Sequence, residues 1–442
     1  MFARIRRPLI FAVAVLAALV IGLILYTGRD NARLAETDLA GVKPSIQPPA
    51  TELVPVINIA EPTDWGNETP KAAPGLKVTA FATGLDHPRW MTLLPNGDVL
   101  VAETNAPPRP QTGLVDRIMG LLFARAGAGG KSANRITLLR DRDGDGRAET
   151  RSVLVEGLNS PFGMALVGDR LYVANTDALV VLPYRTGDTR ITARPEKVVD
   201  LPGGYNHWAR NVIADPAGKR LYVTVGSASN IGERGLELEE RRAAILEVDP
   251  ATRSQRIYAS GLRNPNGLAW EPIKGGLWTT VNERDMIGGD GPPDYMTKVE
   301  FGAFYGWPWS YWGGYVDKRV RPERPDLLEY TKRPDYALGP HVAPLGIAFA
   351  TSADLGPDYE NGAFVGLHGS WNRKPASGYK VVFVPFGADG WPVKDRKPID
   401  LLTGFLTKDG KARGRPAGVI VDGKGAVLVA DDVGNRIWRV SR

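Results

Sequence analysis

Residues 261–283 read GLRNPNGLAWEPIKGGLWTTVNE, and the order of parts in that stretch decides the fold. A loop carrying Gly261 and Pro265 leads into a short apolar segment, a tight KGG turn follows, and an apolar strand then ends in polar residues. The same order recurs as GLDHPRWMTLLPNGDVLVAET from Gly84, GLNSPFGMALVGDRLYVANTD from Gly157 and NHWARNVIADPAGKRLYVTVGS from Asn206. Two looser copies are HVAPLGIAFATSADLGPDYENGAFVGLHG from His341 and GRPAGVIVDGKGAVLVADD from Gly414. Such repetition of loop, strand, turn and strand predicts an all-β, six-bladed β-propeller rather than a sandwich or two separate β domains. The copies start about 50 to 80 residues apart, more than the ~40–50 of a compact blade, so several blades must carry insertions. LKVTAFATGL from Leu76 is placed to complete the last sheet beside NRIWRV (435–440), closing the ring and removing its free edges.

Working outward, Pro8–Tyr26 (PLIFAVAVLAALVIGLILY) contains no charge and follows Arg4, Arg6 and Arg7. That run is long enough to span a bilayer and lacks the small-residue end of a cleaved signal, so it predicts an uncleaved transmembrane helix. The arginines before it would stay cytoplasmic, placing the rest in the periplasm of an organism with two membranes, anchored to the inner one. Residues 30–74 hold Pro44, Pro48, Pro49, Pro55, Pro62, Pro70 and Pro74 without periodicity and read as a tether. The expected organisation is an anchor (1–29), a Pro-rich tether (30–74) and a propeller (75–442).

Composition narrows the chemistry. The 55 basic and 49 acidic residues of this 442-residue chain leave +6, which is no nucleic-acid footprint. With no cysteine, disulfides, thiolate nucleophiles, CxxCH haem attachment and iron–sulfur clusters are excluded, and redox chemistry requires another cofactor. There are four histidines, His87, His207, His341 and His368.

Loops before the inner strands converge on one end of a propeller's channel. Those loops carry His207 and Arg210 in the third copy, Arg263 and Asn264 in the fourth, His341 in the fifth, and Arg413 and Arg415 in the sixth. A funnel of guanidiniums suits a multiply anionic ligand, and a neutral histidine among them can accept a proton from a substrate hydroxyl.

The segments NHWARNVIADPAGKRLYVTVGS, ASGLRNPNGLAWEP, GAFYGWPWSYWGG, HGSWNR and SGYKVVFVPF carry a family resemblance. From about Leu76 to the C-terminus the chain resembles the glucose and sorbosone dehydrogenases that use pyrroloquinoline quinone (PQQ), closest to the membrane-bound sorbosone branch. The resemblance implies that His207 takes the hydroxyl proton while hydride passes to the quinone, with Arg263 stabilising charge at the quinone oxygens. It implies that Asn264, His368, Arg413 and Arg415 contact the cofactor, and Arg210 of the same funnel is counted with them. His368 stands near a lysine of the soluble enzymes, and Ser227 stands near their carboxylate beside the base. The orienting partner of His207 is therefore open, with Glu237 and Glu239 as candidates. Calcium, which the resemblance also implies, would be held by backbone carbonyls in VNERD, at Glu283 and Arg284.

Three further motifs are separate. DRDGDGRAE (141–149) alternates Asp141, Asp143 and Asp145 like an EF-hand loop, but position twelve is Ser152; it reads equally as an Asp/Gly turn. GLVDRIMGLLFARAG (113–127) predicts a short amphipathic helix that either docks on a membrane or an electron acceptor, or packs across the propeller. Trp307 and Trp309 are candidates to stack on a flat ring, although most such aromatics fill sheet interfaces. Together these readings predict a membrane-tethered periplasmic sugar dehydrogenase using PQQ and calcium, passing electrons to a membrane quinone or a cytochrome. The alternatives are a lactonase-like hydrolase and a non-catalytic binding propeller.

Overall fold

The second strands of the repeats are largely apolar and buried along most of their length, as in VLVAE, LYVTV and VLVAD, because a propeller blade is covered on both faces. The computed structural model, which describes residues 11–22, 31–50, 56–108, 113–127 and 129–442, bears this out. Its strands form six antiparallel blades.

Blade 1 comprises Pro88–Leu93, Val99–Glu103, Arg135–Arg140 and Thr150–Glu156. Blade 2 comprises Met164–Val167, Arg170–Ala174, Ala178–Pro183 and Glu196–Asp200. Blade 3 comprises Val212–Ala214, Leu221–Val225, Ala244–Asp249 and Ser254–Ser260. Blade 4 comprises Asn264–Trp270, Leu277–Asn282, Pro293–Lys298 and Tyr336–Pro340. Blade 5 comprises Pro344–Phe349, Gly362–Leu367, Lys380–Pro385 and Ile399–Thr403. Blade 6 comprises Pro416–Val421, Val427–Asp431 and Arg436–Ser441, and Lys77–Thr83 from the start of the propeller supplies its outer strand. Val78 pairs with Val440, so the ring closes where the sequence places the join.

Each of the six apolar clusters lies between two adjacent blades: Trp90, Leu138 and Phe162 between blades 1 and 2, for example, and Phe364, Val381 and Trp438 between blades 5 and 6. The glycine of the repeated Pro-x-Gly has a steric cause. A Cβ on Gly346 would lie 2.4 Å from the Ala417 carbonyl oxygen, and one on Gly418 would lie 2.9 Å from that of Arg89. Inner strands therefore approach backbone to backbone only where a side chain is absent.

One expectation changes, and a second is only partly covered by the described residues. The segment 30–74 is not a loose tether where it is described: Leu39 and Trp65 are buried, Lys71–Ala72 adds a fifth strand to blade 5, and Gly41 pairs with Ala337. Its apolar residues find gaps at the blade edges, which proline content alone does not reveal. Residues 11–22 of the predicted anchor are helical, and the rest of Pro8–Tyr26 lies outside the described residues. Among the described residues no helix is long and apolar enough to cross a membrane.

The longer spacings are insertions. Residues 104–134 leave blade 1 after its second strand and contain a helix, α1 (Leu114–Arg125). Residues 299–335 enlarge blade 4 and include the paired strands Ser310–Tyr311 and Tyr315–Val316.

Candidate active site

Antiparallel pairing puts the loop before each inner strand and the loop after each second strand at the same end of the ring. All four histidines occupy these loops, and His87, His207 and His341 have φ of 53°, 52° and 58°. Non-glycine residues held in this left-handed region cost about 1–3 kcal/mol each and gather at functional sites.

The first group centres on Asp285, after the second strand of blade 4. Its carboxylate pairs with the Arg263 Nη2 at 2.8 Å, accepts a hydrogen bond from Asn372 Nδ2 at 3.1 Å, and lies 3.6 Å from His341 Nδ1. Burial pushes the Asp285 carboxyl up, but the charge of Arg263 and then the contacts of His341 and His207 outweigh it and hold the pKa at about 2. His341 shows the reciprocal effect: burial lowers its pKa, yet hydrogen bonding and charge from Asp285 leave it raised. Arg263 is fixed further by Asn230 Oδ1 at 2.9 Å and by the Glu283 carbonyl at 2.5 Å.

His207 and Asn264 converge over Gly226, where an added Cβ would lie 2.3 Å from Asn264 Oδ1 and 2.5 Å from His207 Cβ. The Nδ1 of His207 faces the Ser227 carbonyl at 2.8 Å and Ser227 Oγ at 3.1 Å. A carbonyl can only accept, and the Ser227 hydroxyl already donates to the Ser229 carbonyl at 2.6 Å. Nδ1 therefore carries the proton, and Nε2 is the basic nitrogen.

The second group centres on Asp432, after the second strand of blade 6. Arg89 and His368 both hydrogen-bond its Oδ2, His368 at 2.8 Å, while His87 lies 3.6 Å away. Burial, reinforced by Arg89 and Arg415, pulls His368 down to about 4 against the opposing charge of Asp432. Arg415 is buried, lies over the Tyr379 ring at 5.0 Å, and its Nη2 donates a long hydrogen bond of 3.5 Å to the Ala60 carbonyl. Arg415 Nε, Arg89 Nε and Asp432 Oδ1 are buried without a hydrogen-bond partner. The blade 5 loop HGSWNR spans both groups, reaching Asp432 through His368 and Asp285 through Asn372.

Of the predicted residues, His207, Arg263 and Asn264 belong to the first group, and His368 and Arg415 to the second. Arg413 does not join them: it pairs with Glu68 at 2.5 Å on the surface. Arg210 is fully buried and turned away, its Nη atoms on the carbonyls of His207, Ala209 and Pro202, where it braces the loop that carries His207. The side chains of Glu283 and Arg284 bind each other at 2.8 Å, with Arg284 also reaching Asp317 and the Pro308 and Ser310 carbonyls. They brace the blade 4 insertion, and Arg263 already holds the Glu283 carbonyl. Glu239 does not fold back to His207; it holds Ala228 N and Ser229 Oγ. Trp307 donates to the Asn230 carbonyl at 2.9 Å behind Arg263, and Trp309 packs on Phe304 and Arg324.

Sequence reasoning missed Asp285, Asn372, Arg89 and Asp432. The usable signal was that VNERD and VADD end equivalent second strands, so their acidic residues had to meet the arginines of the neighbouring loops. Asp141, Asp143, Asp145 and Glu149 are gathered within 4.8 Å in the turn of blade 1, at the opposite end of the ring, with Lys424 Nζ on Asp141 at 3.1 Å.

A family model described as TrAA12-like matches residues 70–293 and 328–442. A pyrroloquinoline quinone-dependent pyranose dehydrogenase of Coprinopsis cinerea is 25% identical over 429 residues, covering 84% of this chain and 54% of that protein. The chain thus spans about half the length of that relative. The holo PQQ domain of a Coprinopsis cinerea pyranose dehydrogenase superposes with a TM-score of 0.67 at 21% identity, covering 87% of this chain and 100% of that one. A calcium structure of a Trichoderma reesei family AA12 protein gives 0.68 at 20% identity over 89% of this chain and 99% of that one.

Proposed function

The chain belongs to the TrAA12-like family, and on that premise we propose that it oxidises a sugar with PQQ as the electron acceptor. The observation that carries this reading is His207, its Nδ1 proton fixed on Ser227 so that Nε2 is the basic nitrogen, on the same face as the buried Arg415 and Arg89, whose Nε atoms lack hydrogen-bond partners.

PQQ fits the donor set. It is flat and carries three carboxylates, and the buried Nε atoms of Arg415 and Arg89 without hydrogen-bond partners are donors that an anionic ligand would complete. Arg415, Arg89 and the neutral His368 would hold carboxylates, with Arg263 and Asn264 near the quinone oxygens. When bound, PQQ supplies a two-electron oxidant. The chain's own part is to bind the sugar beside His207, to accept the hydroxyl proton at Nε2, and to present Arg263 where negative charge develops.

Calcium enters this reading only through backbone carbonyls of residues 283–285, because the side chains of Glu283 and Arg284 are committed to each other. The substrate class we propose is an aldose or pyranose. The sorbosone branch is not carried further. The hydrolase alternative loses support because Asp285 and Asp432 are both neutralised by arginine and histidine partners instead of being grouped for a metal. We place the site in the periplasm, with Pro8–Tyr26 as the membrane anchor.

The test is to purify the chain, add PQQ with and without calcium, and follow cofactor uptake and dye reduction across sugars. Uptake with sugar-dependent reduction is expected. Absence of uptake overturns the cofactor, and wild-type turnover in His207→Ala overturns the base.

A further inference from the structure

The chain enters the folded body on the rim of the candidate site. Ala32 N donates to the Lys374 carbonyl at 2.9 Å, and Arg33 N and Leu34 N donate to the Asp290 carboxylate at 2.8 and 3.3 Å. The Leu34 carbonyl accepts from the buried Arg373 at 2.7 Å. Asp290 lies in the blade 4 loop that carries Asp285, and Arg373 ends the blade 5 loop that carries His368 and Asn372. Ala32 follows Tyr26, the end of the uncharged run, by six positions, a link that can span at most about 20 Å.

A second feature stands on the same face. Helix α1 rises from the loop after the second strand of blade 1 and leans over blade 5, with Phe123 against Trp371 at 5.6 Å. Its Ile118 and Leu121, three residues apart and so on one side of the helix, are 47% and 71% exposed. Arg117 beside them and Lys131 in the same insertion are exposed cations, the combination that seats a helix in an anionic lipid interface.

We propose that the face bearing the candidate site lies against the bilayer, tied by the clamp on residues 32–34 and seated through Ile118 and Leu121. The inference rests on the anchored reading of Pro8–Tyr26 given above. Its partner is a lipid surface and, dissolved in it, a quinone: the two electrons and two protons leaving the oxidised sugar convert one membrane quinone to its quinol.

The absence of cysteine makes the test direct. Full-length Leu121→Cys and, on a turn at the opposite end of the ring, Lys219→Cys are labelled with an environment-sensitive fluorophore. Both are bound to vesicles of phosphatidylethanolamine and phosphatidylglycerol containing a nitroxide lipid. Several-fold stronger quenching at 121 than at 219 is expected; equal quenching, or more at 219, overturns the orientation. Leu121→Asp is expected to keep reduction of a soluble dye while slowing reduction of vesicle quinone several-fold, and an unchanged quinone rate overturns the docking role. A chain that does not float with the vesicles overturns the anchor and this proposal together, whereas failure of dye reduction with added PQQ strikes only the reading of the reaction.

Discussion

The Nδ1 of His207 donates to the backbone carbonyl of Ser227 at 2.8 Å, and the Ser227 hydroxyl oxygen lies 3.1 Å from the same nitrogen. A backbone acceptor fixes the imidazole tautomer without adding a negative charge beside the base. Ser227→Ala keeps that carbonyl, so turnover is expected to fall only a few-fold. His207→Ala removes the base and is expected to lower kcat by ~10²–10⁴, with cofactor uptake retained. Steady-state dye reduction and cofactor titration separate the two effects.

Asp285 neutralises Arg263 and raises the pKa of His341. Asp285→Asn leaves a buried guanidinium without its counter-charge, a loss of about 3–5 kcal/mol by analogy with other broken buried pairs. The pH dependence follows two signs. Asp285 is held at about 2 in the folded chain against an ordinary value of 3.8, so its contribution is present above 3.8 and is lost as pH falls toward 2. His341 is raised above 6.5, so its contribution is complete below 6.5 and is lost as pH rises through the folded value. Thermal melts across pH should show both slopes in the wild type, and both should shrink in Asp285→Asn.

Arg413 and Arg415 differ by two residues and should differ in effect. Arg415→Ala removes a buried donor and is expected to weaken PQQ binding about 10- to 100-fold, the range of a charged hydrogen bond. Arg413→Ala breaks a pair with Glu68 on the surface, so stability should change by about 1 kcal/mol or less and cofactor affinity should be unchanged. Titration by fluorescence or calorimetry distinguishes them; equal losses of affinity would return Arg413 to the site.

Trp65 is buried, and its Nε1 donates to Asp431 Oδ2 at 2.8 Å, alongside Trp438 Nε1 at 3.0 Å. Trp65→Ala should cost about 3–5 kcal/mol through the cavity it opens, lowering Tm. The result would establish residues 56–74 as part of the propeller's core, and an unchanged Tm would return them to a tether.

The sequence by itself determined the number of blades, their closure and the end of the ring where the candidate site's loops gather, because each blade repeats one local unit whose turns and buried strands are written in neighbouring residues. GLRNPNGLAW and its copies show the loop before each inner strand, and with it His207, Arg263 and Arg415. Which loop residues act together was decided only by tertiary structure. Asp285 meets Asn372 across 87 positions and Asp432 meets His368 across 64, contacts that depend on how two blades lean together and leave no local period. The same physics turned Arg413 outward to Glu68, buried Arg210 among carbonyls, and drew Leu39 and Trp65 of a proline-rich segment into gaps at the blade edges.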